Sequence, residues 1–375
     1  MVYRLGIVGV GHWAERLQKS MATEKIAFHK ALDISTFEEK KKFLDSFCID
    51  ASRYYQISPG AALPKEFFHG IDIAQIASPV QYHKSQTIQA LESGKRVVTE
   101  KSFAANRDDF NEVADFLRDG GYENNLYVHL HYLRKMPTMR LASMLQSAIK
   151  EYGNITSVNG TFFEDYREED RRRKWLFRPE NGGIFLDWIH PVEVIARGCG
   201  ANFKECLDAK TFVITPDYGE YPSGALGTFT VSGKNFAAGA TATISVGKGF
   251  QSLTHKVLRI NFESAFLDLA YMDSEREIIT GQRGSVRLVE LDGHKTILYE
   301  HLKGPIAYDF LIDDMVRLCQ GTQPHLLLPE MSNIFDPVWM FNEAAKDPVT
   351  NANDVAEFTK SGVDRTLFTE QTIYR

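Results

Sequence analysis

Tyr3-Arg4-Leu5-Gly6-Ile7-Val8-Gly9-Val10-Gly11-His12-Trp13-Ala14 is the stretch on which the fold is decided. Its first six residues are mostly apolar and too few for a helix, which predicts a short buried strand. They run into Gly9-Val10-Gly11-His12-Trp13-Ala14, the G-x-G-x-x-G/A spacing of a dinucleotide fingerprint. Gly9 permits a tight turn, Gly11 lets backbone N–H groups approach a pyrophosphate, and Ala14 lets the following helix pack close to the strand. A helix predicted over 12–21 would point its N-terminal partial positive charge at the phosphates. A second apolar strand, 26–32, ends at Asp33, 22 residues after Gly11, where a carboxylate can accept hydrogen bonds from ribose hydroxyls. A glycine pair alone would fit any turn; strand, fingerprint, helix, strand and terminal acid in this order is a stronger pattern. Asp33 would repel a 2′-phosphate, and Ile34-Ser35-Thr36 supplies no arginine to neutralise one, so the expected cofactor is NAD, with NADP less favoured.

A chain of 375 residues exceeds one ordinary core, and two domains are expected. Hydrophobic content of 43% and charged content of 25% are those of a globular protein, and a net charge of −6 gives no reason to expect nucleic acid or an anionic membrane as partner. No apolar run approaches the roughly 20 residues that span a bilayer. The chain enters its first strand at once, which reads as lacking a signal peptide. Cys48, Cys199, Cys206 and Cys319 have no C-x-x-C spacing, so neither zinc nor a redox pair is indicated and a cytoplasmic setting is expected.

Strand and helix then alternate with short connections. A charged helix is read over 36–47, a buried strand over 72–77 ending at Ser78-Pro79, a helix over 82–93 closed by Gly94, and a strand over 96–99 followed by Glu100-Lys101-Ser102. A helix over 108–118 and a strand over 126–130 follow. This predicts a doubly wound parallel sheet with the ligand edge at the strand C-termini. From Asn154 the pattern changes to strand-like runs at 155–163, 210–215, 224–231, 238–246, 255–262, 266–272 and 285–291, with helices over 182–196 and 308–318. That is an α+β domain on a large, mostly antiparallel open sheet. The alternation Val257, Arg259, Asn261 implies one face packed on helices and one available to a partner, hence a homodimer or homotetramer through this sheet. The expected division is 1–136 and 137–375.

Three groupings could carry chemistry. Glu100-Lys101 follows a strand that should end on the cofactor side, where a desolvated ammonium could trade protons with a hydroxyl; a surface ion pair is the plain alternative. Asp187, His190 and Glu193 are spaced by three, so on a helix they share a face and can work as an acid–base set or simply satisfy one another. The charge run 164–174, followed by Trp175, Phe177 and Arg178, reads either as a solvated loop or as a lid gripping a polar substrate.

With these pieces placed, the chain over about 1–345 resembles the glucose–fructose oxidoreductase / inositol dehydrogenase / MocA (Gfo/Idh/MocA) family of NAD(P)-dependent enzymes. The resemblance rests on Gly6-Ile7-Val8-Gly9-Val10-Gly11, Ile76-Ala77-Ser78-Pro79 with His83, and Ala90-Leu91-Glu92-Ser93-Gly94-Lys95-Arg96-Val97-Val98-Thr99-Glu100-Lys101. It rests also on His131-Tyr132-Leu133-Arg134-Lys135-Met136-Pro137 and on Gly182-Gly183-Ile184-Phe185-Leu186-Asp187 with His190. It implies a Rossmann domain followed by an α/β domain with an open sheet, and hydride transfer at a hydroxyl-bearing carbon of a sugar, polyol or related molecule. By position it implies Lys101 as the proton-handling lysine, Asp187 as a substrate-orienting acid and His190 as the acid/base histidine. Gly9, Gly11, His12, Trp13, Asp33, Ser78, Pro79, His83, Glu100 and Lys101 are expected around the cofactor, and Arg134, Trp175, Arg178, Asp187 and His190 around the substrate, with no metal. Ser102 stands where the family usually has proline, and Asn181 where it usually has glycine. A dinucleotide-sensing regulatory protein on the same fold is the alternative, and a reductase of an imine or conjugated ring a third.

Overall fold

The computed structural model describes residues 2–11, 14, 25–165, 183–214, 221–250, 255–272, 277, 280–292, 295–322, 328–345 and 347–364. The helix expected over 12–21, with His12 and Trp13, lies outside the described residues, as do Trp175, Phe177 and Arg178. Two compact units make up the chain, residues 1–130 with 308–331 and residues 131–307 with 332–375. The single division expected at 136/137 is thus an interleaved one, because a late segment returns to the first unit.

The first unit is built on six parallel strands: β1 Tyr3–Val8, β2 Ile26–Asp33, β3 Tyr54–Gln56, β4 Ile73–Ile76, β5 Arg96–Glu100 and β6 Leu126–His129, in the spatial order β3-β2-β1-β4-β5-β6. β1 lies between β2 and β4, so the order reverses beside it, the topological switch point where ligands of such sheets sit. Leu5, Ile7 and Val8 of β1, Ile73, Ala74 and Ile76 of β4 and Val97 and Val98 of β5 are at most 1% exposed. Both faces of the sheet are therefore covered, which is why these strands read as apolar runs rather than alternating ones. The helix Arg107–Gly120 starts where the Asn106 side chain accepts from Asp109 N–H and ends at Gly121 in the left-handed conformation. The helix Ala307–Cys319 is bound into this unit by Tyr127, whose hydroxyl donates to Asp314 (2.8 Å), and by the Tyr308 ring against His129.

The second unit carries eight strands: β7 Ile155–Asp165, β8 Asn202–Phe212, β9 Gly224–Ser232, β10 Phe236–Phe250, β11 His255–Phe262, β12 Ala265–Ala270, β13 Ser285–Glu290 and β14 Thr296–His301. They form one sheet in the order β14-β13-β12-β11-β7-β10-β9-β8, antiparallel except for the parallel pair β7/β10. β14 was not expected from sequence, since its residues are mostly exposed and leave little apolar alternation to read.

Two glycines let the helix Phe185–Glu193 lie close on this sheet. A Cβ on Gly160 of β7 would stand 3.1 Å from Pro191, and one on Gly227 of β9 would collide with the rings of Trp188 and Phe341. The opposite face carries a polar row set by register, Thr228, Thr243, Asn159, Arg259, Asp268 and Arg287. Fully buried Asp268 accepts from Arg259 through two bonds (2.7 and 2.9 Å) and from Arg287 (2.7 Å), while Arg259 stacks over Phe266. The alternation seen from Val257 to Asn261 is thereby explained: one residue parity meets helices and the other carries charge.

His255, at the start of β11, is 1% exposed, and burial pushes its pKa down to about 4. The unfolded chain takes that proton near the ordinary value, whereas the folded ring stays neutral. Stability should therefore be lost as pH falls from about 6.5 towards 4, by up to about 3 kcal/mol from this residue, and be level above. Thermal unfolding across that range should show a shallower acid decline for His255→Gln than for the parent protein; equal slopes would remove His255 as a cause.

Candidate active site

In the first unit the chemistry gathers at the C-terminal ends of β1, β4 and β5. Gly9 leaves β1 with φ +92, and a Cβ there would lie 2.7 Å from Ser78 N and 2.8 Å from the Ala77 carbonyl. No other residue fits, on steric and conformational grounds together. Gly11 differs: a Cβ on it would meet nothing within 4 Å, so the open space in front of it is a cradle for something other than protein. A dinucleotide pyrophosphate fits that cradle, and Gly9, Gly11 and the Ser78-Pro79 turn are the residues that would hold it.

Asp33 is engaged by the turn itself. Its Oδ2 accepts from Val10 N–H (2.6 Å) and its Oδ1 from Ser35 N–H (2.9 Å), so both oxygens brace the fingerprint turn. The Lys40 ammonium donates to the Val10 carbonyl (2.6 Å) from the helix Phe37–Ser46, which begins with a Thr36/Glu39 capping box. A cation thus stands at the fingerprint where the local sequence showed no arginine. The expected ranking of NAD over NADP loses its physical basis, and the cofactor class is NAD(P).

His83 is 1% exposed, with Nε2 2.6 Å from the Ser78 carbonyl and Nδ1 2.7 Å from the Ser102 carbonyl. Both ring nitrogens face main-chain carbonyls, so His83 ties the turn after β4 to the turn after β5. Burial lowers its pKa, opposed by the two carbonyls and by Glu100. The peptide joining Lys101 to Ser102 is cis, and Lys101 follows directly on β5, half-buried. Glu100 turns inward instead: it is 4% exposed, with Oε1 3.1 Å from His129 Nδ1 on β6 and 3.5 Å from the Gln75 amide on β4. Its carboxylate joins a buried network with His129 and Gln75.

In the second unit, Asp187, His190 and Glu193 fall on the helix Phe185–Glu193 as their spacing requires. His190 Nε2 is 3.9 Å from Asp187 Oδ1, and its Nδ1 is 3.7 Å from Glu193 Oε1. Glu193 is fully buried and accepts from Tyr132 N–H (2.8 Å), which brings the turn His131–Arg134 against the helix. The Tyr132 and His131 rings then cover His190 at 4.4 and 4.6 Å between centroids. Burial, and after it Glu164, Glu277, Asp187 and Glu193, holds the Tyr132 phenol well above its ordinary pKa, so it stays protonated as a wall. Arg134 closes that turn, half-buried.

Sequence reasoning missed two residues here, Lys248 and Lys256. Lys248 on β10 places Nζ 2.9 Å from Asp187 Oδ2 and 3.3 Å from Glu164 Oε2 on β7, and Glu164 is also paired with Lys256 on β11. The charge run containing Glu164 was visible; its partners lay in strands more than 80 residues away and were not. Among the described residues no group of His, Cys, Asp and Glu is placed to hold a metal ion, and no helix is long and apolar enough to cross a membrane.

If Asp33 braces the turn rather than selecting a ribose, Asp33→Ala should weaken NADH and NADPH by similar factors, at least about tenfold each, in fluorescence titrations. A loss confined to NADH would restore the discriminating role.

Residues 3–123 match the Gfo/Idh/MocA oxidoreductase family, described as an NAD-binding Rossmann fold. Solved structures share the architecture over nearly the whole chain. KijD10, a 3-ketoreductase from Actinomadura kijaniata in complex with NADP and TDP-benzene, aligns with a TM-score of 0.73 at 16% identity, covering 93% of this chain and 99% of that one. UDP-N-acetylglucosamine 3-dehydrogenase GnnA from Acidithiobacillus ferrooxidans aligns at 0.67 and 12% identity, covering 92% and 98%. At such identities the likeness is one of fold. Among curated proteins none matches the sequence. Fingerprint, switch point and family match agree: residues 3–123 form a Rossmann-type unit similar to the NAD-binding domain of the Gfo/Idh/MocA oxidoreductases.

Proposed function

We propose that this protein is an NAD(P)-dependent oxidoreductase acting on a hydroxyl-bearing carbon of a sugar, with nucleotide-linked sugars the first class to test. The observation that carries the reading is the Asp187–His190 pair held on one helix face beside Tyr132 and Glu193. A dinucleotide sensor has no use for such a set, and an apolar imine or ring reductase has little. GnnA acts on UDP-N-acetylglucosamine and KijD10 was crystallised with TDP-benzene, which supports the nucleotide-linked choice.

With the dinucleotide's pyrophosphate held against Gly9, Gly11 and the Ser78-Pro79 turn, its nicotinamide would supply the hydride donor or acceptor. In the oxidative direction the neutral amine of Lys101 takes up the hydroxyl proton at its Nζ. His190 exchanges a proton at Nε2, the nitrogen turned towards Asp187, while Glu193 faces Nδ1 and steadies the ring. Asp187 orients the substrate through its carboxylate. Tyr132 and His131 cover one side of His190 and limit water there.

A homodimer or homotetramer through the second sheet is the accompanying proposal, supported by the Arg259–Asp268–Arg287 row on its polar face. Native mass spectrometry of the parent and of Arg259→Ala reads it: the parent should be oligomeric and the variant shifted towards monomer. The four cysteines are free, which supports a reducing, cytoplasmic setting as part of this reading.

Absorbance at 340 nm over a panel of UDP- and TDP-sugars, free sugars and polyols, with both dinucleotides, should reveal turnover of at least one member. Lys101→Ala should then lower kcat by about 10²–10⁴ while changing dinucleotide affinity little. Unchanged turnover would take Lys101 out of the mechanism.

A further inference from the structure

A line of alternating charge runs through the second unit: Lys256, Glu164, Lys248, Asp187, His190, Glu193. Its first three members come from neighbouring strands, with Glu164 of β7 directly opposite Lys248 of β10 and Lys256 on β11. Its last three come from the helix Phe185–Glu193. The sheet fixes where the cations stand, and Asp187 lies where the two series meet.

The distances say which partner Asp187 prefers. Oδ2 to the Lys248 ammonium is 2.9 Å, a charge-assisted hydrogen bond, whereas Oδ1 to His190 Nε2 is 3.9 Å, beyond hydrogen-bond length. The carboxylate is therefore drawn away from the ring by a cation that sequence gave no reason to place there. We propose that Lys248 is a positioning residue: its ammonium holds the Asp187 carboxylate off His190 and so sets how readily His190 takes a proton. Its bearing on catalysis rests on the function proposed above; the electrostatic coupling does not.

Among the described residues, the charged and titratable groups facing His190 all enter the sign. Asp187 and Glu193 on its own helix favour the imidazolium, and Glu164 on β7 does so from farther away. Lys248 and Lys256 oppose it. His131 and Tyr132 cover the ring; Tyr132 carries the Lys135 ammonium 5.3 Å from its ring centroid, and Lys135 is itself paired with buried Glu277 at 3.0 Å. Removing Lys248 takes away a repelling charge and its 2.9 Å hold on Asp187 Oδ2. Both changes favour the imidazolium, so the His190 midpoint must rise. A residue that merely packed the helix on the sheet would leave that midpoint where it was.

The test is a ring-nitrogen NMR titration of the ligand-free full chain from about pH 5 to 9, with His190 identified by its loss in His190→Gln. Lys248→Met should raise the His190 midpoint by about one pH unit, and Lys248→Arg should keep it within about 0.3 of the parent value. An unchanged or lowered midpoint in Lys248→Met, or an Arg variant that behaves like Met, overturns the proposal. Should Lys248→Met fail to fold, Glu164→Gln decides: it removes a negative charge and leaves Lys248 wholly to Asp187, so the midpoint must fall, and a steady or raised one overturns the proposal equally. Adding NADH and NADPH to the parent sample separates the two readings. Absence of binding refutes the oxidoreductase assignment, while the His190 titration still decides the role of Lys248.

Discussion

The ends of β1 and β4 approach so closely that Gly9 has no room for a side chain, and the rest of the first unit is arranged around that contact. The crowding comes from the Ala77–Ser78 backbone, which cannot retreat without breaking the β1/β4 pairing. With Gly9 fixed, the turn it opens is braced from the β2 side by Asp33 and Lys40, and from the β4 side by the chain that leads through Ser78 and His83 to Ser102. Lys101 thus stands one residue from a main-chain carbonyl anchored, through a buried ring, to the turn that crowds the fingerprint. Precision at the fingerprint and precision at the lysine share one cause.

Both units use a buried carboxylate as scaffolding. Asp33 accepts from the N–H groups of Val10 and Ser35, and Glu193 accepts from that of Tyr132. In each case an acid beside the chemistry satisfies main-chain donors that would otherwise be buried without partners, at a cost of roughly 1–3 kcal/mol each. A third acid, Glu100, meets His129 and Gln75 inside the parallel sheet. The acids that sequence patterns bring to notice near a ligand are, in this fold, largely the ones that hold the ligand's walls in place.

How far the sequence was legible follows from the range of the interactions. The parallel sheet was readable because its strands other than β3 are largely buried on both faces, and the fingerprint because its constraints are local. Asp187, His190 and Glu193 were readable because helix geometry alone aligns residues three apart. Lys248 and Lys256 were not, since what brings them to Glu164 is the pairing of β7, β10 and β11, and a single strand's sequence holds no record of its neighbours. The hydrogen bonds that Asp33, His83 and Glu100 make within the protein were not legible, because spacing along a chain says where a side chain starts and not which groups surround it. β3 is three residues long and β14 mostly exposed, so neither carries a pattern to read.

The first unit is discontinuous, and this bears on how the protein is made. A nascent chain leaving the ribosome presents all six parallel strands within its first 130 residues, yet the helix bearing Tyr308 and Asp314 follows only after the whole eight-stranded sheet has been translated. Until then Tyr127 and His129 lack their covering helix, and the dinucleotide half waits on the other half's synthesis. Full-length translation is in this way built in as a checkpoint on a finished cofactor-binding unit.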